Sequence, residues 1–202
     1  MNDKELERLV YDVFFEQWGE RGIPAKRELR EMGLEVLKPL LLGLIAYIKQ
    51  MTRQGKSPLK YQATPSNQLL SGYLRPIFNI FIDWSIDFGH EPEYEEIKIK
   101  PILDALRKII DETGYPNLRI VAVLALSQLI VISRDEPKGI YLLKQEIGKL
   151  VSDDDPIIGI TAMFVEDWLI FFEDQTIIFK DPDLRKRSEL NAMLIIESIA
   201  SL

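Results

Sequence analysis

The stretch Pro116-Asn117-Leu118-Arg119-Ile120-Val121-Ala122-Val123-Leu124-Ala125-Leu126 decides how this chain folds. Its proline suits the opening turn of a helix, where the missing N–H has no partner to lose. The apolar run then continues to Ile132, interrupted only by Ser127 and Gln128, and is bounded by Arg119 and Arg134. A bilayer span needs roughly 20 apolar residues, so this run reads as a helix buried in a protein core. Forty positions later the pattern returns as Pro156-Ile157 through Phe172. Pro116/Pro156, Ile120/Ile160, Ala122/Ala162, Leu129/Leu169 and Ile130/Ile170 are identical pairs at that spacing, and Leu103/Leu143, Leu118/Ile158 and Val123/Met163 extend the match. Identity at a turn proline and along one helix face is what a repeated packing unit preserves.

Each unit reads as two helices about a turn. Ile102–Asp111 leads through Thr113-Gly114-Tyr115-Pro116 to Asn117–Ser133, and Leu142–Val151 leads through Ser152-Asp153-Asp154-Asp155-Pro156 to Ile157–Phe172. A partial third copy, Asp181-Pro182-Asp183-Leu184-Arg185, opens a last helix. An Asp-Pro turn, an apolar residue followed by Arg, and small residues at helical spacing resemble the second helix of a HEAT-type repeat. The resemblance covers roughly residues 101–202. Two departures stand out: Gly159 occupies the place of the Arg, and Ser188 that of the small Ala. Pro76 and Ile80 also lie forty before Pro116 and Ile120, without the small-residue pattern.

The resemblance implies an all-α fold, a short right-handed α-solenoid of antiparallel helix pairs, with residues 1–100 packing on or extending the array as one continuous domain. The alternative is an irregular multi-helix bundle. It also implies that turn Asp and helix Arg form ladders, so that Arg119 and Arg185 pair with Asp155 and Asp181. On the same geometry the second helix of each pair lines one face, where Arg119, Glu166 and Arg185 are candidate partner contacts. Independently of any resemblance, Asp155 and Asp181 precede helices and can cap their free N–H groups.

The first hundred residues are helical too. Leu6, Leu9, Val10, Val13, Phe14 and Trp18 form one apolar stripe, and Gly19 and Gly22 end that helix. Pro24 opens a second helix to about Met51, which Gly33 and Pro39 bend or split. A third runs from Asn67 to Phe88, kinked or broken at Pro76. Gly55 to Asn67 and Gly89 to Glu93 read as surface loops. Gln175-Thr176-Ile177-Ile178-Phe179-Lys180 is β-prone, either an extended connection over the core or an apolar strip offered to a partner.

Composition narrows the function. In 202 residues, 25 Lys and Arg face 32 Asp and Glu, a net charge of −7. Residues 101–202 hold 11 of those bases and 17 of the acids. Such a surface repels duplex nucleic acid, whose affinity comes chiefly from neutralised phosphates, and favours a basic protein partner. Arg185-Lys186-Arg187 is the basic cluster of note, and with no basic stripe across the repeats a DNA glycosylase-like helical-repeat protein is the lesser alternative. No cysteine is present, which removes thiolate chemistry and fits the cytoplasm. The start, Met1-Asn2-Asp3-Lys4-Glu5, lacks the plan of a signal peptide, and no membrane contact is expected.

Little catalytic chemistry is on offer. His90 is the single histidine, so no two-histidine metal set exists. Asp153-Asp154-Asp155 lacks the alternate spacing and turn glycine of a calcium loop. Asp87-Phe88-Gly89 stands without the other kinase motifs. Neighbouring carboxylates such as Glu166 and Asp167 point in different directions on a helix. No metal, cofactor or catalytic residue is expected, and the leading expectation is a non-enzymatic protein-binding adaptor or scaffold. Two alternatives are an enzyme using a raised-pKa carboxylate in an inter-helix cleft and a structural subunit self-associating through its N-terminal stripe.

Overall fold

A computed structural model describes residues 2–17, 19–59, 63–174 and 181–201, and among them every regular element is helical, with no strand. Trp18 and the Gln175–Lys180 segment lie outside the described residues.

Helix α1 (Asp3–Phe15) starts where the Asn2 side-chain oxygen accepts the Glu5 N–H at 2.9 Å. It buries Leu9, Val10, Val13 and Phe14 of the expected stripe. The second expected helix is split. Helix α2 (Gly22–Glu31) ends before Gly33, whose φ of +65° is a left-handed conformation that breaks the helix. A 3-10 turn, Gly33–Val36, then leads into α3 (Leu37–Arg53). Pro39 falls in the first turn of α3 and costs it no hydrogen bond.

The third helix is interrupted as Pro76 requires. A single turn, α4 (Pro65–Asn67), runs into a π turn, Gln68–Tyr73, in which Leu74 N–H reaches back five residues to the Leu69 carbonyl at 3.0 Å. Helix α5 (Arg75–Phe88) restarts with Pro76 in its opening turn. Arg30 grips Asp87 with two hydrogen bonds of 3.0 and 2.6 Å, and Trp84 Nε1–H donates to the Arg30 carbonyl at 3.0 Å, so α2 and α5 are tied.

The later helices are α6 (Lys100–Glu112), α7 (Pro116–Ile132), α8 (Pro137–Leu150), α9 (Pro156–Glu173) and α10 (Pro182–Ser201). Prolines start four of them. As expected, the Asp155 and Asp181 carboxylates accept N–H groups of the helices they precede, from Ile157 at 3.1 Å and Leu184 at 2.9 Å. Helix α7 is the axis of the molecule: Leu118 and every residue from Ile120 to Ile130 are buried. Each fully buried Leu, Ile or Val there is worth about 1.5–3 kcal/mol. Its two interior polar side chains are hydrogen-bonded in series, Ser127 Oγ–H donating to the Leu124 carbonyl at 2.6 Å and Gln128 Nε2–H to Ser127 Oγ at 2.9 Å.

Helix α7 packs on α6 and α9, as neighbours in stacked pairs would, and also on α3 and α5. Helix α10 packs on α9 and folds back onto α3 and α4, where Glu189 accepts the Ser66 N–H at 3.0 Å. The arrangement is an all-α body of packed helices with one continuous apolar core reaching from Leu9 to Ile199.

Candidate functional site

Helix α1 has more apolar surface than its own fold covers. Leu9, Val13 and Phe14 point into the core, while Leu6, Tyr11 and Phe15 lie on its flank and stay partly or fully exposed. Helix α3 lies alongside, and Gly43 permits the approach: a Cβ there would fall 2.2 Å from Val10 Cγ1 and 3.0 Å from the Phe14 ring. Beside that contact lies an open groove of 410 Å³. Residues Leu6, Val10, Tyr11, Phe14 and Phe15 of α1 line it opposite Pro39, Leu42, Gly43 and Ala46 of α3.

A chain of aromatic contacts runs back from the groove into the core. Tyr11 stacks on Phe15 with ring centres 4.4 Å apart, Phe15 meets Tyr47 edge-on at 5.0 Å, and Tyr47 meets Tyr73 at 5.7 Å. Burial pushes the Tyr47 and Tyr73 hydroxyls above their ordinary pKa, so both stay neutral. At the lips, Tyr11 and Leu42 are 49% and 48% exposed. The ionic groups lining the groove are Asp3 and Glu7, one helical turn apart and making no ion pair among the described residues. Chemically this is an apolar slot, open along its length, with negative charge at one end.

The candidate contact residues have different neighbours. Arg119 spends its guanidinium inside the fold: Nε–H donates to the Ile110 carbonyl at 3.0 Å and Nη2–H to Asp153 at 2.7 Å. Asp153, rather than the expected Asp155, is its partner, because Asp155 is occupied as the cap of α9. Arg185 is exposed at the start of α10 and does not pair with Asp181, which caps that helix. Glu166 is half-buried on α9. Arg119 is thus a staple, Arg185 a free surface cation among the described residues, and the three do not form one site.

Sequence reasoning missed Asp167. It is fully buried, and Arg187 grips it with two hydrogen bonds, the Nε–H one at 3.2 Å. Burial raises the Asp167 carboxyl above its ordinary value, while Arg187 opposes the rise. The signal was its place in a stripe of Phe164, Asp167 and Phe171, where a solvated acid does not belong. Arg187 is therefore withdrawn from the basic cluster, leaving Arg185 and Lys186.

A second, smaller cavity of 220 Å³ lies where the α5–α6 connection meets the end of α7, lined by Ser85, His90, Lys98 and Glu136 among others. Burial raises the Glu136 carboxyl, opposed by Lys98, whose Nζ lies 3.9 Å away. The Glu136 Oε2 has no hydrogen-bond partner among the described residues. Among the described residues no helix is long and apolar enough to cross a membrane. Compared with protein-family models, curated proteins and solved structures, the chain finds no match.

Proposed function

We propose that this chain is a non-enzymatic adaptor or scaffold that holds an amphipathic helix in the groove between α1 and α3. The carrying observation is the groove itself, whose exposed aromatic and aliphatic lips are the kind of surface that helix-in-groove recognition uses. Asp3 and Glu7 favour a partner helix with Lys or Arg at one end, in keeping with the acidic character of the whole chain. The fold reading that accompanies it is a short HEAT-like array over residues 101–202. The pairing of α6 with α7 and α8 with α9 supports it, while the return of α10 onto α3 favours a closed bundle. A cytoplasmic setting suits a chain without cysteine.

The test replaces Tyr11 with the photo-crosslinking residue p-benzoylphenylalanine and maps what it captures in cells. Crosslinks into a helix with apolar residues at i, i+3 or i+4 and i+7 and a basic end are expected, and Leu42→Glu should abolish them. No capture from position 11, with capture from positions 119 and 166 instead, would move the binding surface to the stacked second helices.

The second reading, a carboxylate enzyme, draws on Glu136 in its cavity. It expects a metabolite that raises the melting temperature of the wild type but not of Glu136→Gln. Equal responses of both proteins across a metabolite panel would remove it.

A further inference from the structure

Helix α10 buries Leu184, Ser188, Asn191, Ile195 and Ile199 along one side. The opposite side carries Lys186, Leu190, Met193 and Glu197, at i, i+4, i+7 and i+11, all exposed. Leu190 and Met193 are 51% and 41% exposed, adjacent on one ridge and one helical turn apart. Lys186 heads this ridge, with Arg185 about a third of a turn round the helix and Asp183 exposed beside them. Neither Arg185 nor Lys186 makes an ion pair among the described residues, whereas Arg187 is held by Asp167 and Asp181 is engaged as the helix cap. An apolar ridge with a basic end is the chemistry that the groove between α1 and α3 asks for.

We infer that the groove is occupied by a second copy of this chain, which docks the outer ridge of its α10 against α1 and α3. The inference rests on the reading of the groove as a helix-docking site. Spacing supports it. From Asp3 to Tyr11 along α1 is eight residues, and from Arg185 to Met193 along α10 is also eight, each about 12 Å at 1.5 Å per residue. With α10 running parallel to α1, Leu190 and Met193 meet Tyr11 and Leu42 while Lys186 meets Asp3 and Glu7, and the long Arg185 side chain reaches toward them from the flank of the ridge. The ridge cannot serve its own groove, because the other side of α10 is seated on α9 and α3. Groove and ridge are different patches of one surface, so the contact is head-to-tail. Such contacts propagate into rings or open chains rather than stopping at a symmetric pair.

The experiment measures mass by light scattering and sedimentation on the full chain, wild type and two exposed-site variants, Leu42→Glu in the groove and Met193→Glu on the ridge. Wild type should rise in mean mass with concentration beyond twice the 23.4 kDa of one chain. Each variant alone should be capped at a weak monomeric state. An equimolar mixture of the two should form a 1:1 dimer and nothing larger, because one copy keeps a working ridge and the other a working groove. Raising salt from about 0.05 to 0.5 M should weaken that dimer severalfold, as contacts between exposed charges do. Charge reversal of Asp3 and Glu7 to Lys should abolish assembly, and reversal of Arg185 and Lys186 to Glu in the partner copy should restore it.

A wild type that stays at one-chain mass to about 1 mM, or a mixture no heavier than its components, overturns the inference. So does a symmetric dimer that survives Met193→Glu. The two readings fail separately. Capture of another protein's helix from position 11, with no assembly in the mixture, leaves the groove and removes the second copy. No capture of any helix and no assembly removes both.

Discussion

Helices α7 and α1 both carry long apolar faces, and the molecule treats them in opposite ways. Around α7 the neighbours α3, α5, α6 and α9 close on the helix, so that even Ser127 and Gln128 are buried and hydrogen-bonded to each other. Around α1 the cover is one-sided. Helices α2 and α3 bury Leu9, Val13 and Phe14 and leave the flank of Leu6, Tyr11 and Phe15 to solvent. The difference teaches where function is to be sought in an all-helical body. A helix whose apolar arc is wider than its own neighbours can cover is the better candidate than the most apolar helix.

The largest effect that sharpens this contrast is a truncation at each place. Leu126→Ala in α7 should destabilise by about 3 kcal/mol through lost burial and the cavity left behind, lowering Tm by roughly 6–12 °C. Leu42→Ala at the groove should change stability by less than about 0.5 kcal/mol, while reducing capture by the position-11 crosslinker. Thermal melts of the two variants side by side test this, and equal losses would mean that the groove belongs to the structural core.

The next effect concerns charge inside the body. Arg187→Ala strands the buried Asp167 carboxylate without its partner and should cost about 2 kcal/mol, below the figure for a fully buried pair because Arg187 is half exposed. Arg185→Ala, two residues away, should leave urea unfolding unchanged within about 0.5 kcal/mol. If the two variants unfold alike, the Asp167 pair is not the anchor its burial implies.

Their visibility in the sequence differs for physical reasons. Helix starts and stops were legible because local chemistry sets them: prolines at 116, 156 and 182, caps at Asp155 and Asp181, the left-handed Gly33, and the interruption forced by Pro76. The burial of α7 was legible from the length of its apolar run. The groove was not, because it exists only once α1 and α3 lie side by side, and the residue permitting that, Gly43, gives no local sign of its neighbour. The resemblance pairs Arg119 with Asp155, whereas in the fold its partner is Asp153. Which of three consecutive aspartates it meets depends on the turn's backbone, which commits Asp155 to the cap and frees Asp153. Asp167 stands beside the half-buried Glu166 in sequence, but its apolar companions lie three and four residues away at Phe164 and Phe171, on the buried side of α9.

The smallest effect is a dependence on pH. The Glu136 carboxyl has a raised pKa in the folded protein because of burial. The folded state therefore holds its proton more tightly than the unfolded chain, and this favours folding below the ordinary glutamate range. The benefit is lost as pH rises through the raised pKa. Glu136→Gln cannot ionise, so its stability relative to wild type should improve between pH 4 and pH 7. Denaturant unfolding at the two values measures it, and a constant difference would show that Glu136 is no more shielded than a surface acid.

The seating of α10 on α3 has a consequence in time. About 130 residues separate Arg53, the end of α3, from Pro182, the start of α10. During synthesis at about 5–20 residues per second, that interval lasts roughly 6–26 s. For that period the flank of α3 destined for α10 has emerged without its cover, next to the groove that stays open in the finished molecule. A nascent chain of this protein therefore displays two apolar sides of one helix, and only one of them is later closed.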